Sequence, residues 1–301
     1  MVKAVVVGSV ALDSIRTPFG EVHEALGGSA SYAGYASSFF SKTGIVGVVG
    51  SDFPKKHLDL FKRKGIDLSG LSFADGKTFR WHGYYEFDLN QAHTVKTELN
   101  VFEEFQPVLP DSYRKAKFLF LGNIGPELQL NVLGQMASRP KLVVADTMNY
   151  WIEKSRETVL EVVKAVDIML FNDAEARQLF RTPSIVKAAR MALALDSDYA
   201  IIKKGEHGAL MFTPKSHFSA PAYPLENIVD PTGAGDCFGG AMTGYLAKTG
   251  SLTEKNLRKA IIFGSAVASL DAEGFSLENL KKISLKDIEA RVQEFKEIVH
   301  F

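Results

Sequence analysis

Residues 230–241 read DPTGAGDCFGGA and place a glycine-rich turn directly before a helix predicted at 238–248. Gly233 and Gly235 let successive backbone N–H groups point toward one spot, and the positive end of the helix dipole favours an anion there. Asp236 lies beside this spot. A carboxylate next to amides suits phosphoryl transfer to a hydroxyl, because the amides stabilise the transferred group and the carboxylate accepts the proton. A plain N-capping aspartate after a glycine turn is the alternative interpretation.

Strands and helices alternate outward from this segment over most of the chain. Strands are predicted at 3–10, 44–49, 116–121, 142–145, 168–171, 199–203, 210–212 and 218–223, and helices at 28–40, 54–64, 128–136, 151–166, 238–248, 254–271 and 285–298. Asp173 is the predicted N-cap of a further helix. This alternation predicts an α/β fold with a mostly parallel central sheet, helices on both faces and a ligand site beyond the carboxyl ends of the strands. We find no internal repeat or linker, so we expect a single domain over 1–301.

Residues 75–102 differ from the rest of the chain because aromatic residues are interleaved with polar ones there. Between Phe79 and Phe87, aromatic and polar residues alternate, but aromatic residues occupy both phases. The pattern indicates strands without a clear polar face. Two interpretations remain open: a hairpin packed on the main core, or a projecting sheet that closes over a ligand.

The composition excludes several classes of function. Lys plus Arg and Asp plus Glu both total 35, so no basic excess favours nucleic-acid binding. A single cysteine excludes an internal disulfide and indicates a reducing compartment. The apolar run near the N-terminus is too short to cross a membrane, so we expect a cytoplasmic protein.

The 230–241 segment resembles the second signature of the ribokinase-like PfkB carbohydrate kinases, whose core is D-T-x-G-A-G-D and reads D-P-T-G-A-G-D here. Other landmarks of that family follow in the expected order along nearly the whole chain. They are Asp13 after the first strand, the Gly27-Gly28 pair, N-x-x-E at 172–175 and the loop Lys204-Gly205-Glu206-His207-Gly208-Ala209. Taken singly, each has a structural explanation, such as a capped loop or a glycine turn. Their shared order is what makes the resemblance specific.

The resemblance implies a ribokinase-like three-layer sandwich with a small β-strand lid, formed mainly by 75–102 with part of 14–26. It also implies an ATP-dependent phosphotransferase that uses Mg²⁺ and has an alcohol group as its acceptor. Asp236 would be the general base, assisted by the amides of Gly233, Ala234 and Gly235. A homodimer through the lid is a further implication.

The resemblance also implies where the ligands bind. The acceptor site would comprise Asp13, Gly27, Gly28, Trp81 and Tyr84. The nucleotide site would comprise Lys204, Gly205, Gly208 and Thr232. Asn172 and Glu175 would hold Mg²⁺ through water, and Asp230 marks the place of a monovalent cation such as K⁺ in many relatives.

The sequence leaves the chemical class of the acceptor open. A sugar, sugar acid or polyol is the first choice, and a nucleoside such as adenosine is the alternative, because aromatic lid residues offer a stacking surface. A non-catalytic sugar- or nucleotide-binding module on the same fold is the third interpretation. Tyr32 occupies a position where the family usually has asparagine, so the resemblance does not imply a standard ribose-like site.

Two other nucleotide-binding classes and a zinc site are disfavoured. Gly76-Lys77-Thr78 ends like a phosphate-binding P-loop, but Leu71 stands where that motif needs glycine. Gly8-Ser9-Val10-Ala11 lacks the spaced glycines of a dinucleotide-binding turn. The seven histidines do not have metal-ligand spacing.

Overall fold

The protein, represented by a computed structural model that describes residues 1–300, contains two β-sheets and ten α-helices in that range. The strands are β1 (Ala4–Val7), β2 (Ala11–Thr17), β3 (Gly20–Gly27), β4 (Thr43–Gly50), β5 (Asp67–Ala74), β6 (Phe79–Tyr85), β7 (Ala92–Glu98), β8 (Phe118–Leu121), β9 (Leu142–Ala145), β10 (Ile168–Asn172), β11 (Tyr199–Lys203), β12 (Ala209–Phe212) and β13 (His217–Ala220). The helices are α1 (Ser29–Ser38), α2 (Lys55–Arg63), α3 (Pro126–Gln135), α4 (Asn149–Lys154), α5 (Arg156–Ala165), α6 (Asp173–Phe180), α7 (Ile185–Leu193), α8 (Ala234–Thr249), α9 (Glu254–Ala272) and α10 (Leu285–Ile298).

The larger sheet has nine strands in the order β13-β12-β11-β10-β9-β8-β1-β4-β5. Strands β12 and β13 run antiparallel to their neighbours at one edge, and every other pair is parallel. Short apolar strands such as β1 and β8 are fully buried, as expected for parallel strands covered on both faces. The predicted mostly parallel α/β sheet is confirmed.

Alternate side chains of these strands enter two separate cores. In β1, Ala4 and Val6 belong to the core that includes residues of α1, α8, α9 and α10, whereas Val5 and Val7 belong to the core that includes residues of α3, α5, α6 and α7. The alternation follows from the two-residue period of a strand. The result is a three-layer sandwich of helices, sheet and helices, as predicted.

The smaller sheet has four strands in the order β3-β2-β6-β7 and comes from two separated parts of the chain. Strands β2 and β6 pair in parallel, and β3 and β7 flank them in antiparallel pairs. We call this four-stranded sheet the lid sheet. The Thr17 hydroxyl donates to Val229 O at 2.9 Å, so the end of β2 is tied to the segment that precedes the glycine turn.

Several elements differ from the prediction, and α8 begins at Ala234, four residues before the predicted start. The helix predicted at 151–166 is two helices, α4 and α5, because Ser155 leaves the helical conformation with φ −138° and ψ 44°. The N-cap of α6 is Asn172 and not Asp173, because a reciprocal pair of bonds with Glu175 closes the helix there. Strand β5 and helix α7 were not predicted. Within residues 1–300, no helix has both the length and the apolar character needed to cross a bilayer.

Candidate active site

The glycine turn before α8 forms the centre of the candidate site. Gly233 is the N-cap of α8 with φ 84°, and a Cβ atom there would lie 2.3 Å from the Tyr32 ring, so only glycine fits. Ala234 N donates to Pro231 O at 3.2 Å, whereas the N–H groups of Gly235 and Asp236 have no backbone acceptor in the described part of the chain. Free amides at a helix N-terminus can bind an anion, and here the amides of Gly235 and Asp236 are free whereas that of Ala234 is already bonded.

Asp236 lies in the first turn of α8 and is partly exposed. Burial raises the pKa of Asp236 to about 7, the negative charge of Asp146 acts in the same direction, and Lys203 opposes both. A carboxylate with a pKa near neutrality can accept a proton and release it again at cellular pH.

A buried ion pair flanks the turn. Lys203 Nζ lies 2.5 Å from Asp146 Oδ2, and a Cβ on Gly235 would lie 3.1 Å from that Nζ. Burial lowers the pKa of Lys203, but Asp146 and Glu175 more than offset this effect and leave the pKa raised. The Lys203 ammonium is therefore a permanent positive charge beside the anion site.

Asn172 and Glu175 cap the N-terminus of α6 through reciprocal hydrogen bonds. Asn172 N donates to Glu175 Oε2, Asn172 Nδ2 donates to Glu175 Oε1, and Glu175 N donates to Asn172 Oδ1, each at 2.7 Å. Burial raises the pKa of Glu175, and Lys203 opposes it. Since both carboxylate oxygens already accept a hydrogen bond, this pair fits Mg²⁺ through water better than by direct ligation. Within residues 1–300 no group of three acidic, histidine or cysteine residues is arranged to hold a metal.

Asp13 lies on β2 with its carboxylate buried against the backbone of β3. A Cβ on Gly27 would lie 1.9 Å from Asp13 Oδ2, so the close approach requires glycine at 27. Burial raises the pKa of Asp13 to about 8, the charges of Asp230 and Asp236 add to this, and a backbone hydrogen bond from Gly28 opposes it. Asp13 Oδ1 has no partner among the described residues. An unpartnered buried oxygen here suits a hydroxyl of the acceptor.

Strand register shows which lid residues share a face with Asp13. Trp81 pairs with Asp13 across β2 and β6, and its indole lies across Gly83, where a Cβ would be 2.2 Å from the ring. Its Nε1 donates to Thr94 Oγ1 at 3.1 Å. Tyr84 lies on the opposite face, where its ring stacks on His93 at 4.9 Å. Of the two aromatic residues proposed for the acceptor site, Trp81 shares a face with Asp13, whereas Tyr84 lies on the other face.

The loop predicted to bind the nucleotide lies next to the carboxyl end of β11. Gly205 and Gly208 both have positive φ, and Lys204 N donates to Gly208 O at 2.7 Å to close the loop. It is Lys203, one residue earlier, that reaches the anion site. A Cβ on Gly205 would lie 3.8 Å from Asn90 Oδ1, so the tip of the β6–β7 hairpin reaches this loop.

Asp230 and Thr232 organise the entry to the turn. Asp230 is buried and accepts hydrogen bonds from Thr232 N at 2.9 Å and Ser276 N at 3.4 Å. The Thr232 hydroxyl donates to the Tyr85 hydroxyl of the lid sheet at 3.1 Å. Thr232 therefore contacts the lid sheet, and Asp230 ties the turn to the loop that contains Ser276.

Sequence reasoning missed Asp146, Lys203 and Tyr85. Asp146 directly follows β9, and Lys203 ends β11 in register with Asn172 on β10. Polar residues that end neighbouring parallel strands meet at one edge of the sheet, which is a signal that could have identified the first two. Tyr85 and Trp81 lie four positions apart on β6 and therefore on the same face. Only the pairing of β6 with β2 shows which face is turned toward the site.

A glycine turn before a helix, a carboxylate in the first turn of that helix and a lid at the carboxyl edge of a parallel sheet are the features of an α/β phosphotransferase of the ribokinase-like class. The pfkB family carbohydrate kinase profile matches residues 1–280, and the chain belongs to this family. Members of the family transfer phosphate to hydroxyl groups and use ATP with Mg²⁺.

Three relatives illustrate the range of similarity. Cytidine kinase of Thermococcus kodakarensis is 33% identical over 254 residues, covering 81% of this chain and 89% of that enzyme. Fructokinase-2 of Oryza sativa subsp. japonica is 26% identical over 273 residues, covering 81% and 78%. A putative ribokinase II from E. coli, solved in complex with ATP and Mg²⁺, has a TM-score of 0.80 at 18% identity, covering 98% and 100%.

Proposed function

We propose that this protein transfers the γ-phosphoryl group of ATP to a sugar hydroxyl of a nucleoside. The observation that carries the acceptor class is Trp81, whose indole lies flat across Gly83 on the face of the lid sheet that also presents Asp13. An acceptor with both a sugar and a flat base matches a hydroxyl-binding carboxylate beside an aromatic surface. Similarity to the Thermococcus cytidine kinase supports the same choice.

The chemical step follows from the residues around the turn. Asp236 takes the proton of the acceptor hydroxyl while that oxygen forms a bond to the γ-phosphorus, and the bond to the bridging oxygen of ATP breaks to release ADP. The amides of Gly235 and Asp236 donate to the transferring group, and the Lys203 ammonium adds positive charge beside it. Asp13 and the Gly27-Gly28 backbone orient the acceptor.

The nucleotide would lie along the 204–208 loop, with Thr232 at its phosphate end. Asn172 and Glu175 would hold Mg²⁺ through water, where the ion neutralises phosphate charge. A monovalent cation near Asp230 is part of the same proposal, since the buried Asp230 carboxylate joins the turn to the loop that contains Ser276.

Free sugars and polyols are the second candidate class. The pairing of Asp13 with the Gly27-Gly28 backbone suits any vicinal hydroxyls, and the similarity to the rice fructokinase extends over 81% of the chain. For such an acceptor the Trp81 surface would contact the apolar face of the sugar ring.

Acceptor-dependent ADP formation, measured with Mg²⁺ in the presence and absence of K⁺, separates the two classes. The panel contains cytidine, uridine, adenosine and inosine beside ribose, fructose and myo-inositol. We expect the highest kcat/KM for a nucleoside, and Trp81→Leu should raise its KM more than the KM of any free sugar that reacts. Turnover confined to sugars or polyols would reject the nucleoside assignment and retain the kinase.

A further inference from the structure

One hydrogen bond joins the lid sheet to the anion turn. The Thr232 hydroxyl donates to the Tyr85 hydroxyl at 3.1 Å, across 147 positions of sequence. Tyr85 is the last residue of β6, and Thr232 immediately precedes Gly233, the N-cap of α8. Any movement of β6 away from the core must break this bond.

The surroundings of the bond make it specific. The backbone N–H of Thr232 is held by Asp230 Oδ1 at 2.9 Å, which leaves the side-chain hydroxyl free to contact the lid sheet. Beyond Tyr85, the hairpin tip places Asn90 beside Gly205 of the predicted nucleotide loop. The β6–β7 hairpin therefore contacts the core at the anion turn through Tyr85 and at the predicted nucleotide loop through Asn90.

We propose that Tyr85 is a positioning residue that latches the lid sheet onto the anion turn, so that the turn takes its transfer geometry only when the lid is closed. The inference rests on the proposed kinase function for its catalytic consequence. We call the hydrogen bond between Tyr85 and Thr232 the latch. When the latch is broken, water enters the site. The water oxygen then forms the bond to the γ-phosphorus, ADP leaves, and Asp236 takes the proton. The latch thus favours the acceptor hydroxyl over water.

Hydrogen exchange of the ligand-free full-length protein tests the latch without any assay of activity. Tyr85→Phe keeps the ring and removes one hydroxyl, so amides of β6 and β7 should exchange about two- to tenfold faster, as expected for one lost hydrogen bond. Tyr84→Phe is the matched control, because its ring stacks on His93 on the other face, and its exchange should equal the wild type. Wild-type exchange in Tyr85→Phe would overturn the proposal.

A double-mutant cycle with Thr232→Val assigns the effect to this bond. If the latch exists, Tyr85→Phe changes exchange little once Thr232→Val has removed the partner, whereas additive effects would contradict it.

In the kinase assay, Tyr85→Phe should raise acceptor-independent ATP hydrolysis, relative to transfer, by about the same two- to tenfold. An unchanged ratio would overturn the catalytic consequence. A wild type that transfers no phosphate would refute the proposed function, while the exchange comparison would still decide the latch.

Discussion

At the scale of the residue, Asp236 has the two properties that a general base needs, a place beside the anion turn and a pKa near neutrality. Burial, together with the charge of Asp146, raises the pKa of Asp236 to about 7. The base acts only when deprotonated, so kcat/KM should fall as the pH decreases below about 7. Steady-state kinetics across the pH range measure this directly. A profile that stays flat down to about pH 5 would contradict the assignment.

Gly27 is a second residue-scale test, because its lack of a side chain makes room for Asp13. Gly27→Ala would bring a Cβ within 1.9 Å of Asp13 Oδ2, so the carboxylate or the β3 backbone must move. We expect a loss of about 1–3 kcal/mol in the free energy of unfolding, measured in urea, together with a raised KM for the acceptor.

Gly134→Ala is the matched control for that substitution. Gly134 lies in α3, and a Cβ there would have no other atom within 4 Å, so alanine should stabilise the helix by up to about 1 kcal/mol. An equal loss of stability in both variants would show that the Asp13 contact is not the cause.

At the scale of the element, the proposed role of the lid sheet in acceptor binding depends on the flat placement of the Trp81 indole across Gly83. Gly83→Ala would place a Cβ 2.2 Å from the Trp81 ring and force the ring off the sheet. The KM for the acceptor should increase several-fold, while the KM for ATP changes little, because Trp81 lies on the acceptor side. Initial rates with each substrate varied in turn separate the two constants, and an equal change in both would argue against a stacking role.

Much of the fold and the centre of the site could be predicted because their signals are local. Residues 230–241 contain the turn, the helix start and the base within a few positions, and the apolar runs of β1 and β8 define the buried sheet. Other parts depend on contacts between distant segments. Lys203 meets Asp146 across 57 positions, and the face on which Trp81 and Tyr84 lie is decided by pairing with β2. No local pattern encodes such pairings.

At the scale of the whole molecule, buried carboxylates link stability to pH. Burial raises the pKa values of Asp13, Asp236 and Asp271 above their ordinary value of 3.8, and Asp271 is fully buried. The folded chain then binds more protons than the unfolded chain, so the free energy of unfolding falls as the pH rises through about 7 to 8.

Chemical unfolding at a series of pH values measures this linkage. The urea midpoint should decrease from mildly acidic to mildly alkaline pH, and Asp271→Asn should weaken that dependence. A midpoint that increases over the same range would contradict the linkage.

The homodimer through the lid sheet stays a prediction. The exposed side chains of Phe19 and Phe87, 56% and 82% accessible, would contribute apolar surface to it.

Replacing the Asp236 carboxylate by an amide tests the proposal that Asp236 catalyses transfer from ATP to an acceptor hydroxyl. Acceptor-dependent ADP formation is measured for the wild type and for Asp236→Asn, with ATP binding to each followed by calorimetry. We predict that Asp236→Asn binds ATP like the wild type but turns over at least about a hundredfold more slowly, as expected for loss of a general base. Near-wild-type turnover in Asp236→Asn would contradict the account.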